Sequence, residues 1–343
     1  MRYLLSHRRY RLPFRAPLRT AHGGFEAREG FFLRLQDEQG RVGLGEAATL
    51  PWFGTESVEA VGEWLRTLGP EPGANDLAEI PASAGCLRNA VAAARSMIAG
   101  EDVPEAKPLP VAALLPAGRA ALGRIAPLAE AGFRTFKWKV GVGDLADELA
   151  LLDDVCAQLP DGARLRLDAN GAWDRRQAER WLERTAERPV EFVEQPAFAE
   201  PTAGRARVRR TEDLLLGLAG DFPTPLALDE SLVGDGDVER WLGAGWPGVY
   251  VIKPSLCADP GAVLGRLAAA KAPVVFSSAL ETALGARAAL AWAFRWKGPV
   301  RALGFGVWPL FADARFDGPV LAPFMRREDV MRIDPEAVWN ALT

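Results

Sequence analysis

From about residue 108 the chain stops reading as mixed structure and becomes a regular alternation. Short apolar runs recur at Pro110–Leu115, Thr135–Val140, Arg164–Asp168, Val190–Glu194, Leu226–Asp229, Val249–Lys253, Val274–Ser277 and Arg301–Val307. The segments between them carry helical periodicity. Leu145, Leu149, Leu152, Cys156 and Leu159 share one face behind Asp144, which is expected to cap that helix. Eight such units in about 200 residues predict a (β/α)8 barrel. A doubly wound sheet is the competing architecture. It usually shows a Gly-rich phosphate turn after its first strand, and Leu114-Leu115-Pro116-Ala117-Gly118 is not one.

The first hundred residues follow a different pattern. A strand is expected around Tyr3–Pro13, then a hairpin of Gly30–Asp37 and Arg41–Ala48 turning at Glu38-Gln39-Gly40. Two helices follow, one capped by Thr55 and running through Leu68, the other the Ala-rich Ser83–Ile98. Strands followed by helices form an α+β unit. The expected division is an α+β capping domain, 1–105, completed by the tail 318–343, over a modified barrel, 106–317.

A net charge of −4 with no basic run argues against a nucleic-acid partner. No stretch approaches the roughly 20 apolar residues of a membrane span, and Met1–Arg15 lacks the apolar segment of a signal peptide. Cys86, Cys156 and Cys257 are dispersed, which suits buried thiols in a reducing, cytoplasmic compartment.

Barrel chemistry sits at the C-terminal strand ends. Here those ends read Lys137-Trp138-Lys139, Asp168-Ala169-Asn170, Glu194-Gln195-Pro196, Asp229-Glu230-Ser231, Lys253-Pro254-Ser255 and Ser277-Ser278. One carboxylate after a strand is often only a helix cap. Asp168, Glu194 and Asp229 on three consecutive strands would converge and repel, and a hard divalent cation relieves that repulsion. All-oxygen ligation points to Mg²⁺, with Mn²⁺ as a substitute. The two histidines, His7 and His22, both precede the barrel, which disfavours zinc.

Of 41 basic residues only 6 are lysines, and Lys137, Lys139 and Lys253 interrupt strand-like segments. Lysine can shed its proton in a desolvated or positively charged site, whereas arginine cannot. Lys137 and Lys139 are two apart and share a strand face, and Lys253 comes from across the mouth. A lysine base beside a divalent cation suits proton removal α to a carboxylate.

These motifs, taken in order, resemble the muconate-lactonizing-like branch of the enolase superfamily over nearly the whole chain. The resemblance implies a capping domain over a modified barrel and a small-molecule carboxylate substrate. It implies a carbon–oxygen lyase that dehydrates 2-succinyl-6-hydroxy-2,4-cyclohexadiene-1-carboxylate, with syn geometry, to o-succinylbenzoate in menaquinone or phylloquinone synthesis. Asp168, Glu194 and Asp229 would bind Mg²⁺. Lys139 would take the α-proton and return it to the departing hydroxyl, Lys253 would stabilise the enediolate, and Lys137 would support Lys139. Expected substrate contacts are Asn170, Ser277, Gly304 and Gly306 from the barrel, Thr20 and His22 from the loop 19–24, and Trp52 from the loop 50–54. His22 serves equally well as an ordinary loop residue. Leu303–Trp308 carries no Asp-x-Asp, which argues against dipeptide epimerases. An N-acylamino-acid racemase, for which Lys139 and Lys253 could serve as two opposed bases, or a cycloisomerase relative from the same branch remains an alternative. A barrel that has lost catalysis is the alternative outside enzymes, and the retained carboxylates and lysines speak against it. A homo-oligomer is left open.

Overall fold

The computed structural model describes residues 1–20, 23–199 and 205–342. Three strands open the chain, β1 (Tyr3–Thr20), β2 (Gly23–Asp37) and β3 (Val42–Ala47), paired antiparallel in that order. The turn at Glu38–Gly40 is where the Asp/Gly pattern put it, with Gly40 at φ 79 and Asp37 Oδ1 accepting from the amides of Gln39 and Arg41. Helices Val58–Leu68 and Gly85–Ile98 cover this sheet. Ser57, not Thr55, caps the first. The Thr55 hydroxyl instead accepts from Leu50 N at 2.7 Å, closing the loop before the helix. Gly43 and Gly45 let β3 lie directly on the second helix, since a Cβ at either would meet the carbonyl of Ala94 or Ala90 within about 2 Å.

The short β4 (Leu109–Pro110) starts the second region. Seven parallel strands then follow: β5 (Ala113–Leu115), β6 (Thr135–Lys139), β7 (Arg164–Asp168), β8 (Val190–Glu194), β9 (Leu226–Leu228), β10 (Val249–Ile252) and β11 (Val274–Phe276). Each pairs with the next in sequence. The architecture is the expected modified barrel with an α+β cap. The apolar run Pro110–Leu115 is split, because β4 pairs antiparallel with β12 (Phe324–Met325) in the tail while Ala113–Leu115 joins the barrel. The expected eighth strand, Arg301–Val307, forms no ladder. It closes the ring through single bridges, Leu303 to Val111 and Gly304 to Ser277. Gly304 permits that approach, since a Cβ there would stand 2.6 Å from Ser277 Oγ. Glycine gives a strand no side chain to pack, so contact here replaces regular pairing.

The alternation in β6 sets the site. Phe136 and Trp138 are fully buried outward under the helices, where Trp138 meets Trp181 edge-on at 6.3 Å. Lys137 and Lys139 therefore share the opposite, inward face. The tail returns over the cap, where Arg8 donates to Trp339 O and Leu342 O and stacks on the Trp339 ring.

Candidate active site

Strand register delivers the charged residues to one rim. Lys139 is level with Asp168, Asp168 with Glu194, and Glu194 with Ala227, two residues before Asp229. Lys253 follows β10 directly and leads into a 3-10 turn, Pro254–Leu256. Asn170 and Gln195 take left-handed backbone conformations (φ 46 and 36), which turn the chain sharply after each acidic strand end. The buried Gln195 amide oxygen accepts from Asp229 N and Ser231 N, tying the end of β8 to the turn after β9. Glu148 accepts from the amides of Gly141, Val142 and Gly143, fixing the loop after Lys139.

A cavity of about 360 Å³ opens over this rim. Lys137, Lys139, Asp168, Asn170, Asp229, Lys253, Ser277 and Gly304 line it from the barrel, and Leu18, Leu50, Trp52 and Phe53 line it from the cap. Glu194 lies just beneath, 2% exposed. The sequence-based candidates therefore converge, with three exceptions. Gly306 does not line the cavity; it packs on the Ala112 carbonyl and Leu321. Thr20 is described only as the backbone end of β1, and His22 lies outside the described residues.

The carboxylates are paired with lysines. Lys137 Nζ stands 2.8 Å from Asp168 Oδ2 and 2.7 Å from Glu194 Oε1, and Lys253 Nζ pairs with Asp229 Oδ1. Among the described residues no three His, Cys, Asp or Glu side chains stand together as a ready-made metal cage. Two ammonium groups instead neutralise three nearly buried carboxylates, a charge complement that a divalent cation also satisfies. Burial pulls the Lys137 pKa down, but Asp168 and Glu194 outweigh it and hold the ammonium above its ordinary value. Burial lowers Lys139, partly offset by Asp168 and Glu230. Burial lowers Lys253 to about 7 against the attraction of Glu194.

Two carboxylates were not expected in this role. Glu230 lines the cavity, accepts from Asn170 Nδ2 at 2.9 Å, and is pushed up to about 8 by burial and by Asp168. Its position beside Asp229 was the available signal. Glu281, fully buried, accepts from Ala279 N and the Ser278 hydroxyl beneath the loop that faces the cavity. Its place three residues past the Ser277-Ser278 strand end was the available signal.

Barrel, cap and rim together define the enolase class of enzymes, and a family model described as enolase C-terminal domain-like matches residues 121–320. The chain is 41% identical over 303 residues to an o-succinylbenzoate synthase of Thermosynechococcus vestitus, covering 87% of this chain and 90% of that one. It is 30% identical over 291 residues to an o-succinylbenzoate synthase of Photorhabdus laumondii, covering 81% and 82%. The crystal structure of o-succinylbenzoate synthase from Thermosynechococcus elongatus BP-1, complexed with Mg in the active site, matches with a TM-score of 0.81 and 38% identity over 93% of this chain and 96% of that one. The chain belongs to the o-succinylbenzoate synthase family of the enolase superfamily.

Proposed function

We propose that the protein is a Mg²⁺-dependent dehydratase converting 2-succinyl-6-hydroxy-2,4-cyclohexadiene-1-carboxylate to o-succinylbenzoate, a step of menaquinone or phylloquinone synthesis. The observation that carries this is the 41% identity to an o-succinylbenzoate synthase across 87% of the chain. In this reading residues 1–105 with 318–343 form the cap and 106–317 the catalytic barrel. Asp168, Glu194 and Asp229 hold Mg²⁺, an all-carboxylate set that suits a hard cation. The bound ion supplies Lewis-acid stabilisation of negative charge on the substrate carboxylate.

The chain's own groups do the rest. Lys139, half-buried and lowered in pKa, takes the α-proton and gives it to the departing hydroxyl on the same face. Lys253, across the mouth, is the cation that faces the developing enediolate, whose negative charge favours the protonated amine. Lys137, lodged between Asp168 and Glu194, neutralises the carboxylates, and its charge also helps to lower the pKa of Lys139. Asn170, Ser277 and Gly304 face the substrate from the barrel, and Trp52 with Leu18 and Leu50 excludes water from above. Free thiols at Cys86, Cys156 and Cys257 support a cytoplasmic setting.

One observation favours a second activity: Lys139 and Lys253 line the same cavity from different strands, as two-base racemisation requires. A spectrophotometric assay with the cyclohexadiene substrate, run beside an N-succinyl amino acid, separates the readings. Turnover of the first is expected. Turnover of only the second would make the protein a racemase.

A further inference from the structure

Lys253 lies beyond the last ladder residue of β10, at φ −102 and ψ 95, so sheet hydrogen bonds do not fix it. The cap grips it from two directions. Asn89, on helix Gly85–Ile98, is 7% exposed, and its Nδ2 donates to Pro254 O at 2.8 Å and Cys257 O at 3.0 Å. Those carbonyls bracket the turn that begins immediately after Lys253. The turn closes on Lys253 itself, through Leu256 N to Lys253 O at 3.0 Å. Helix and turn approach so closely that a Cβ on Gly85 would sit 2.8 Å from Leu256 O. A buried amide on an Ala-rich helix is costly unless its donors are used, and here both bonds reach across about 165 residues to one turn.

The second grip is aromatic. Phe53, in the cap loop, presents its ring face to Lys253 Nζ, 4.4 Å from the ring centroid. The ring is 7% exposed and belongs to the cap's apolar cluster together with Leu256 of the turn and Ala279. Its backbone amide is anchored to Leu50 O at 2.9 Å, and Trp52 packs against it edge-on at 5.7 Å. A cation over a ring face is attracted most strongly where water is excluded. Phe53 also lines the cavity beside Trp52, so one ring both walls the site and faces the lysine.

We infer that Asn89 and Phe53 are positioning residues for Lys253, so that the cap fixes the place of the barrel's second lysine, through the turn backbone on one side and the ring face on the other. The inference rests on the reading of Lys253 as the cation that faces the developing negative charge. The side-chain hydrogen bonds of Asn89 go to the turn's carbonyls, and the residue does not line the cavity at the barrel mouth, so its effect reaches the reaction through where it holds Lys253.

The test is steady-state dehydration kinetics at saturating Mg²⁺ for Asn89→Leu, Phe53→Leu, Phe53→Tyr and Lys253→Ala, with Mg²⁺ affinity measured by calorimetry. A misplaced ammonium weakens stabilisation that matters most in the transition state, so kcat should fall and KM should not. For Asn89→Leu and Phe53→Leu, kcat should drop roughly 10- to 100-fold, with KM and Mg²⁺ affinity within about threefold of the parent. Phe53→Tyr keeps the ring face and should recover kcat to within about threefold. Phe53→Leu nearly conserves volume, so it carries the test if Asn89→Leu does not fold. An inactive Lys253→Ala beside unchanged kcat in the Leu variants overturns the inference and leaves the reading of Lys253 standing. A rise in KM alone also overturns it, leaving Phe53 with no role beyond the wall of the cavity it lines. Wild-type kcat in Lys253→Ala overturns the reading of Lys253 and the inference together.

Discussion

Two clusters of buried charge lie within this molecule, one at the barrel mouth and one at the seam between cap and barrel. At the mouth, Asp168, Glu194 and Asp229 are met by the ammonium groups of Lys137 and Lys253, the ends of long side chains. At the seam, Glu46 is met mostly by groups that cannot move. Its oxygens accept from Thr282 N, Thr282 Oγ1, Gly285 N and the Tyr10 hydroxyl, at the N-terminus of helix Ala283–Arg295. Arg28 does the reverse nearby, donating to the carbonyls of Thr49, Leu280 and Ala279. Fixed backbone partners and a helix N-terminus make a carboxylate a fastening. Flexible ammonium partners leave carboxylates that can exchange one cation for another. Under the proposed function, the difference separates charge buried for chemistry from charge buried for assembly.

That contrast breaks first at the mouth. Lys139→Arg should abolish dehydration, because a guanidinium cannot accept the α-proton, while Lys253→Arg should keep measurable activity as a permanent cation. Asp168→Asn, Glu194→Gln and Asp229→Asn should each lower activity by roughly 10³-fold and weaken Mg²⁺ binding measured by calorimetry. Robust dehydration by Lys139→Arg, or wild-type activity at limiting Mg²⁺ in two of the three carboxylate variants, would sink these assignments.

The seam should answer through stability. Glu46→Gln keeps the shape but loses charge-assisted bonds, and should cost about 2–4 kcal/mol in denaturant unfolding. A variant as stable as the parent but inactive would move Glu46 from the seam to the site.

Glu281 sharpens the comparison, because it is buried beside the seam without a full set of fixed partners. Burial raises its pKa to about 7, with Glu46 adding repulsion. An acid raised on folding binds its proton more tightly in the native state. Its stabilising contribution is therefore complete below the unfolded value near 4.5 and is lost as pH rises through about 7. Relative to Glu281→Gln, the parent should lose on the order of 2 kcal/mol between pH 5 and 8. Parallel stability curves for the two proteins would show that Glu281 does not titrate there.

The smallest expected effect is at Trp52, which stacks on Phe25 at 4.8 Å and lines the cavity. Trp52→Ala should raise KM or lower kcat several-fold with a melting temperature within a few degrees of the parent. A large fall in melting temperature with unchanged kinetics would place it with the core.

The sequence by itself determined the barrel and the rim of the site. Parallel strands buried on both faces need continuous apolar runs, and their period of two placed Lys137 and Lys139 on one side. Acidic strand ends carried Asp168, Glu194 and Asp229 to the same rim because regular pairing keeps strand ends level. Tertiary structure decided what no local period encodes. The eighth segment closes by bridges because Gly304 allows a contact that pattern alone does not reveal. Lys137 lodges between two carboxylates while its charge still helps to lower the pKa of Lys139, a pairing across strands that the spacing along one strand does not encode. The jobs of Asn89, Phe53 and Glu46 depend on partners such as Pro254, Lys253 and Thr282, far away in the chain. Residues brought together only by folding leave no spacing in the sequence by which to find them.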